Sequence, residues 1–253
     1  MDAAVLQKNL SRKGLWLLLS LGLLVGLARP AQAQDSDPPT RAGRVAEVIG
    51  DAWLFDTETK EWTRVMRNQT IGEGDRLRTD ERSRVGLRIG STSIWLDERS
   101  DLEFSRLDEG QVLLNLDKGD VGLRLRAQEV AADYRVQTRE GLVFPEREGL
   151  YRVEQLDRGS RAYAWQGTLR FESSRGAGVT PVWLQGGEQA EFWWADGPRA
   201  ERQRIEGDSF GDWMLAQSRS EGGLPSHGYV SPEMTGAEDL DRHGRWEQAE
   251  DYG

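Results

Sequence analysis

The chain has 253 residues, 37% of them hydrophobic and 30% charged, with a formal net charge of −10. It has no cysteine, which excludes disulfides, thiolate metal sites, cysteine nucleophiles and a lipid anchor on an N-terminal cysteine. So acidic a surface repels phosphate backbones, and nucleic acid is not an expected partner. Ten tryptophans argue against a globally disordered chain.

Residues 1–33 read as a secretory signal peptide. Lys8, Arg12 and Lys13 form a basic start, Gly14 to Leu27 is an apolar run, and Ala31-Gln32-Ala33 fits the small-x-small cleavage pattern. The alternative, an uncleaved membrane anchor, needs about 20 apolar residues, and this run is shorter. Residues 34–43 read as a polar linker that includes Pro38-Pro39. A β domain is expected over 44–200. Arg44 to Phe55 reads as two short strands around Gly50-Asp51, and Trp62 to Met66 as another.

The centre of this domain is Gly72 to Phe104. Val85, Leu87 and Ile89 alternate with Arg84, Gly86 and Arg88, which places the apolar side chains on one face of a strand and the arginines in water. Across Gly90-Ser91-Thr92, Ile94 and Leu96 flank Trp95, which predicts a strand covered on both faces. Further strands are expected at Gln111–Leu116 and Asp120–Arg126, joined at Lys118-Gly119, then at Tyr134–Thr138 and Leu150–Leu156. The hairpin Arg161–Trp165 and Thr168–Glu172 turns on Gln166-Gly167, and Pro181–Leu184 and Gln189–Trp194 flank Gly186-Gly187. Strands this short, punctuated by glycine turns, predict an all-β fold: an antiparallel, hairpin-rich sandwich or a short β-solenoid. One short C-terminal helix is expected over 201–220, within Ile205 to Arg219, capped by Asp208 or Ser209 with Phe210, Trp213, Met214 and Gln217 along one stripe. Residues 221–253 read as a disordered or extended polar tail.

Two resemblances sit on these residues. The order Gly74-Asp75, Leu77, Thr79, then Ser83-Arg84-Val85, Leu87, Gly90-Ser91, then Ile94, Leu96-Asp97, Ser100, Leu102 and Phe104 is similar to the FecR-like domain of bacterial envelope proteins. It continues through Leu113 to Val121 and covers roughly Arg44 to Ala190. Where that family has a Gly-Thr-x-Phe-x-Val step, this chain has Gly149-Leu150-Tyr151-Arg152-Val153. The tail from Tyr229 to Gly253 resembles the YVSPEMTG…EDLD…GRW signature of an uncharacterised proteobacterial family, in which more sequence follows the final Tyr-Gly; a truncated or partial chain is expected. The FecR resemblance implies an exported sensing or scaffolding module, periplasmic or secreted. In signalling members a cytoplasmic anti-sigma segment precedes a spanning helix. Only Met1 to Lys13 precede the apolar run here, so direct transmission to a sigma factor is not expected.

No chemistry-bearing motif emerges. His227 and His243 both lie in the tail without partners at ligand spacing. No Gly-x-Ser-x-Gly elbow and no phosphate loop occurs, so no cofactor and no metal are implied. Acid pairs such as Asp97/Glu98, Asp108/Glu109 and Glu238/Asp239 are expected by chance among 43 carboxylates, and the Glu238–Asp241 run lacks the spacing of a calcium loop. Trp183, Trp193 and Trp194 form the most suggestive aromatic group for partner binding, because one ring of an adjacent pair on a strand must face outward. The expectation is therefore a non-catalytic envelope protein that binds a protein or glycan partner. The alternative is an envelope glycan hydrolase using two carboxylates.

Overall fold

The computed structural model describes residues 41–176, 178–222, 229–230, 240–241 and 243–247. The expected signal peptide, the linker before Arg41 and most of the tail, including His227, Glu238 and Asp239, lie outside the described residues.

The fold is all-β with one C-terminal helix. In chain order the strands are β1 (Gly43–Ile49), β2 (Ala52–Asp56), β3 (Glu61–Arg64), β4 (Thr70–Ile71), β5 (Arg76–Thr79), β6 (Arg84–Ile89), β7 (Thr92–Leu96), β8 (Asp101–Leu107) and β9 (Val112–Leu125). After the single turn α1 (Gln128–Ala131) come β10 (Tyr134–Gln137), β11 (Gly141–Pro145), β12 (Gly149–Leu156), β13 (Gly159–Gln166), β14 (Thr168–Ser173), β15 (Val182–Gln185), β16 (Glu188–Trp194) and β17 (Pro198–Arg204). The helix α2 spans Ser209–Gly222.

Pairing sorts these strands into two sheets. The first, in spatial order, is β3-β2-β5-β8-β9-β10-β11-β14-β15. The second is β4-β1-β6-β7-β9-β12-β13-β16-β17. All neighbours are antiparallel except β9 and β10. Successive hairpins alternate between the sheets, and their inner faces share one core. Phe171 of the first sheet stacks on Phe192 of the second with ring centroids 3.7 Å apart. This is a sandwich in which period-two alternation separates core from surface.

The strand β9 belongs to both sheets. The sequence suggested two strands, Gln111–Leu116 and Asp120–Arg126, joined at Lys118-Gly119. Instead the chain runs on as one strand of 14 residues, with Val112–Leu116 paired to β8 and Gly119–Leu125 to β12. The cause is local. Gly119 adopts φ +77°, and Ser100 packs so close that a Cβ built on Gly119 would lie 2.6 Å from the Ser100 Cα. The glycine bends the strand without reversing it.

A repeated tetrapeptide builds this device twice. Asp80-Glu81-Arg82-Ser83 and Asp97-Glu98-Arg99-Ser100 both form turns with the arginine at positive φ, 55° and 54°. Ser83 Oγ accepts a hydrogen bond from Asp51 N (2.9 Å), and Ser100 Oγ accepts one from Asp120 N (2.9 Å). Each serine thus fills the space beside a Gly-Asp step, Gly50-Asp51 or Gly119-Asp120, where the chain passes from one sheet to the other.

The two outer faces differ. On the second sheet Trp95 lies in register between Gly86 and Gly122, which leaves a recess around the indole. Helix α2 fills it: Phe210 and Met214 form a buried cluster with Trp95 and Leu150, flanked by Trp165 and Trp213. Arginines of the sheet hold both ends of this helix, and Arg88, expected in water, is buried because the helix covers it. Arg152 donates to Asp208 (2.6 Å), whose other oxygen caps the helix at Gly211 N (2.7 Å). Arg88 and Arg126 both meet Glu221 at 2.5 Å. The helix therefore begins at Ser209 rather than Ile205, and residues 201–204, expected at the helix start, complete β17 instead. We call this the capped sheet and the other the open sheet.

Candidate functional site

Register places Trp53, Phe55, Trp62, Arg76 and Arg78 on the outer face of the open sheet. Trp53 on β2 lies opposite Arg78 on β5, and Phe55 lies opposite Trp62 on β3. Ala52 and Leu54 between them are buried, so strand alternation forces the aromatics outward. Arg78 crosses β2 diagonally, and its guanidinium sits 4.5 Å from the Trp62 ring centroid. Phe55 supports the same indole at 5.3 Å. Trp53 Nε1 donates to Asp80 Oδ2 (3.1 Å). Both indoles stay 39% exposed.

Of these residues, Trp53, Trp62 and Arg78 line a groove of about 610 Å³ with Thr79, Asp80, Glu81, Arg99, Ser100, Asp101 and Lys118. Its wall is the pair of repeated turns, bonded to each other. Thr79 N donates to Ser100 O (3.0 Å) and Arg99 N to Asp80 O (3.2 Å). Ser100 N donates to Thr79 Oγ1 (2.9 Å), and Arg82 N to Glu98 Oε2 (2.5 Å). Such a wall needs no rearrangement to present its polar groups.

Each groove carboxylate is engaged. Asp101 accepts from Arg76 Nε (2.5 Å) and Arg78 Nε (2.7 Å), Glu81 pairs with Arg99 (2.6 Å), and Asp80 holds the Trp53 indole. Lys118 lines the groove and forms no ion pair among the described residues. The groove is an open one in which two indoles stand among eight polar or charged residues.

The three tryptophans expected to bind a partner occupy two places. Trp183, in β15, lies on the outer face of the open sheet, 45% exposed and 5.7 Å from the Arg170 guanidinium. Trp193 and Trp194 are consecutive in β16 of the capped sheet and line a cleft of about 30 Å³ with Arg139, Arg175 and Arg199. Arg175 lies 5.8 Å from the Trp194 ring. Trp183 is not among the residues lining that cleft. The edge strand β17 exposes Arg199, Arg202 and Arg204, charges that discourage a further strand from pairing there.

The acid pairs Asp97/Glu98 and Asp108/Glu109 serve turns. Asp97 accepts from Arg84 Nε (2.7 Å). Asp108 accepts from Arg106 and from Gly110 N and Gln111 N, contacts that together hold its carboxyl below the ordinary range. His243 is exposed. Among the described residues no group of three or more His, Asp or Glu is placed to hold a metal ion. The most perturbed carboxylate lies on the capped sheet. Burial, with Glu154 and Asp97 nearby, pushes Asp120 up to about 7 against the pull of Arg152.

Sequence reasoning missed Trp53 and Trp62. The Ala52-Trp53-Leu54-Phe55 alternation and the doubled Asp-Glu-Arg-Ser carried the signal, since the smaller apolar partners take the core and the wall is written twice.

No family model matches the chain, and no curated protein matches it. Among solved structures, a crystal structure of a candidate anti-sigma factor from Parabacteroides distasonis is 12% identical, with a TM-score of 0.45 over 55% of this chain and 64% of that one. A second, of the same description and organism, is 14% identical, with a TM-score of 0.39 over 49% and 55%. The chain thus spans less than two thirds of either structure, and at these scores the likeness carries no argument about function.

Proposed function

We propose that this protein is an exported, non-catalytic module of the bacterial envelope, related to FecR-like domains, that binds a protein or glycan partner through the outer face of its open sheet. One observation carries the reading: helix α2 covers one outer face, while the other exposes Trp53, Trp62 and Trp183 among arginines. Contiguous exposed aromatic surface often marks an interaction site. The engagement of Asp80, Glu81 and Asp101 by Trp53 and arginines favours binding over acid–base chemistry, which needs a carboxylate free to exchange a proton with substrate. Export follows from the reading of residues 1–33 as a signal peptide.

The test is capture from envelope extract by the parent chain, by Trp53→Ala/Trp62→Ala, and by Trp193→Ala/Trp194→Ala. A partner kept by the parent and the last variant but lost by the first is the expected result. A partner lost only with Trp193 and Trp194 would move the site to the capped sheet. Release of reducing ends from purified cell wall by the parent would overturn the non-catalytic reading.

A further inference from the structure

We infer that the Trp53–Trp62 groove takes an oligosaccharide bearing a sparse carboxylate, with a sugar ring against the indoles and the carboxylate at Lys118; this rests on the recognition reading above and names its ligand. A pyranose has an apolar C–H face and a polar rim. The groove offers the complement. Trp53 has its only polar atom occupied by Asp80, so what it presents to a ligand is apolar ring. Trp62 is braced by Arg78 and Phe55. Around them Asp80, Glu81 and Arg99 stand on two turns locked to each other, which suits hydroxyl recognition at low entropic cost.

The charge follows from the register. Lys118, Asp101, Arg78 and Trp53 occupy one row across β9, β8, β5 and β2. Three strand spacings put the Lys118 backbone about 14 Å from that of Trp53, a span longer than one sugar ring. Arg78 and Arg99 are matched by Asp101 and Glu81, whereas Lys118 has no ion pair among the described residues. An unmatched ammonium at the far end of an aromatic groove selects a carboxylate on a neighbouring ring. The net charge of −10 argues against a dense polyanion, so the charge on the ligand is sparse. A peptide strand would add at the edge strand β3, on one rim, whereas the groove runs across β2, β5, β8 and β9, whose backbone groups are already paired.

The test titrates the full chain with hyaluronan tetrasaccharide, which alternates a hexosamine with a uronic acid, and with neutral chitotetraose, following tryptophan fluorescence and heat. Hyaluronan tetrasaccharide is expected to bind at least tenfold tighter. Lys118→Met, which unpairs nothing, should erase that difference and leave the melting temperature unchanged. Trp53→Ala and Trp62→Ala should each weaken both probes at least tenfold, and Trp53→Phe should retain most of the binding. Equal affinity for the two probes, or indifference to Lys118→Met, overturns the assignment. If neither probe binds but Trp53→Ala/Trp62→Ala still loses an envelope partner, the glycan assignment falls and the recognition reading stands. If neither probe binds and that variant loses nothing, both fall.

Discussion

Arg152→Ala should be among the most destabilising single changes in the molecule, and its cost should depend on pH. Arg152 is 4% exposed on the capped sheet. Its guanidinium donates to Asp120 (2.5 Å) and to Asp208 at the start of α2 (2.6 Å), and it lies over the rings of Tyr163 (4.7 Å) and Phe210 (5.2 Å). Removing one partner of a buried pair leaves the other charge uncompensated, which costs about 3–5 kcal/mol, a large part of the roughly 5–15 kcal/mol that holds a domain together. Asp120 sets the pH dependence. Burial already raises its carboxyl to about 7 from an ordinary 3.8. A group raised on folding contributes stability that is fully present below its unfolded value, near pH 4, and is lost as pH rises through about 7. Without Arg152 the folded value rises further, but at pH 5.5 Asp120 is already protonated in the parent and stays so, which leaves little charge uncompensated. At pH 8.5 it is charged in the parent and loses its partner. Urea denaturation should therefore give a smaller loss at pH 5.5 than at pH 8.5. Arg152→Met/Asp120→Asn should recover much of the stability and flatten the pH slope. A loss that is equal at both pH values, or a double variant no better than Arg152→Ala, would refute an electrostatic origin and leave packing as the cause.

Two further outcomes are expected. Gly119→Ala places a Cβ 2.6 Å from the backbone of Ser100 at φ +77°, so strain and overlap together should cost roughly 2–5 kcal/mol in chemical denaturation. Gly187→Ala, at φ +89° with nothing within 4 Å, should lose only the conformational part, about 1–2 kcal/mol; equal losses would mean that the contact with Ser100 is irrelevant. Asp208→Ala should cost about 1 kcal/mol as a lost helix cap, with little added for the half-exposed bridge to Arg152. Burial opposes the charge on Asp208, but the Gly211 N–H and Arg152 hold its carboxyl below 3.8. Its contribution is present above about pH 4 and disappears as pH falls through the folded value. Near-ultraviolet circular dichroism, reporting the Trp95–Trp213 contact, should show the parent losing that signal on acidification while Asp208→Ala shows less change between pH 4 and pH 2.

The β class was legible because alternation is a local property. Val85, Leu87 and Ile89 point inward as their spacing requires, and Ile94, Trp95 and Leu96 are covered on both faces because α2 lies on Trp95. The helix stripe was legible for the same reason: Phe210 and Met214 are buried and Gln217 reaches Glu47. What was not legible was non-local. Gly119 reads as a turn in isolation, and only the presence of Ser100 beside it makes it a bend within a continuous strand. Trp53 reads only as one of two alternating aromatics beyond the Gly50-Asp51 turn, with no face assigned. Its outward direction follows from Ala52 and Leu54 taking the inner positions and from pairing with Arg64 and Arg78, partners 11 and 25 residues further along. The groove depends on strands β2, β3, β5, β8 and β9 arriving in one sheet, and no periodicity announces that order.

The residues that make the groove fall into two groups, and the division bears on how it could change. The wall, Thr79, Ser100 and the two arginines at positive φ, also carries the chain between sheets, so altering it alters the fold. Trp53, Trp62 and Lys118 stand on the strands beside that wall and contribute little to the core. Exposed side chains away from buried networks usually shift stability by less than about 0.5 kcal/mol when replaced. On the proposed reading, ligand preference would be set at these three positions, and replacing them should leave the scaffold undisturbed.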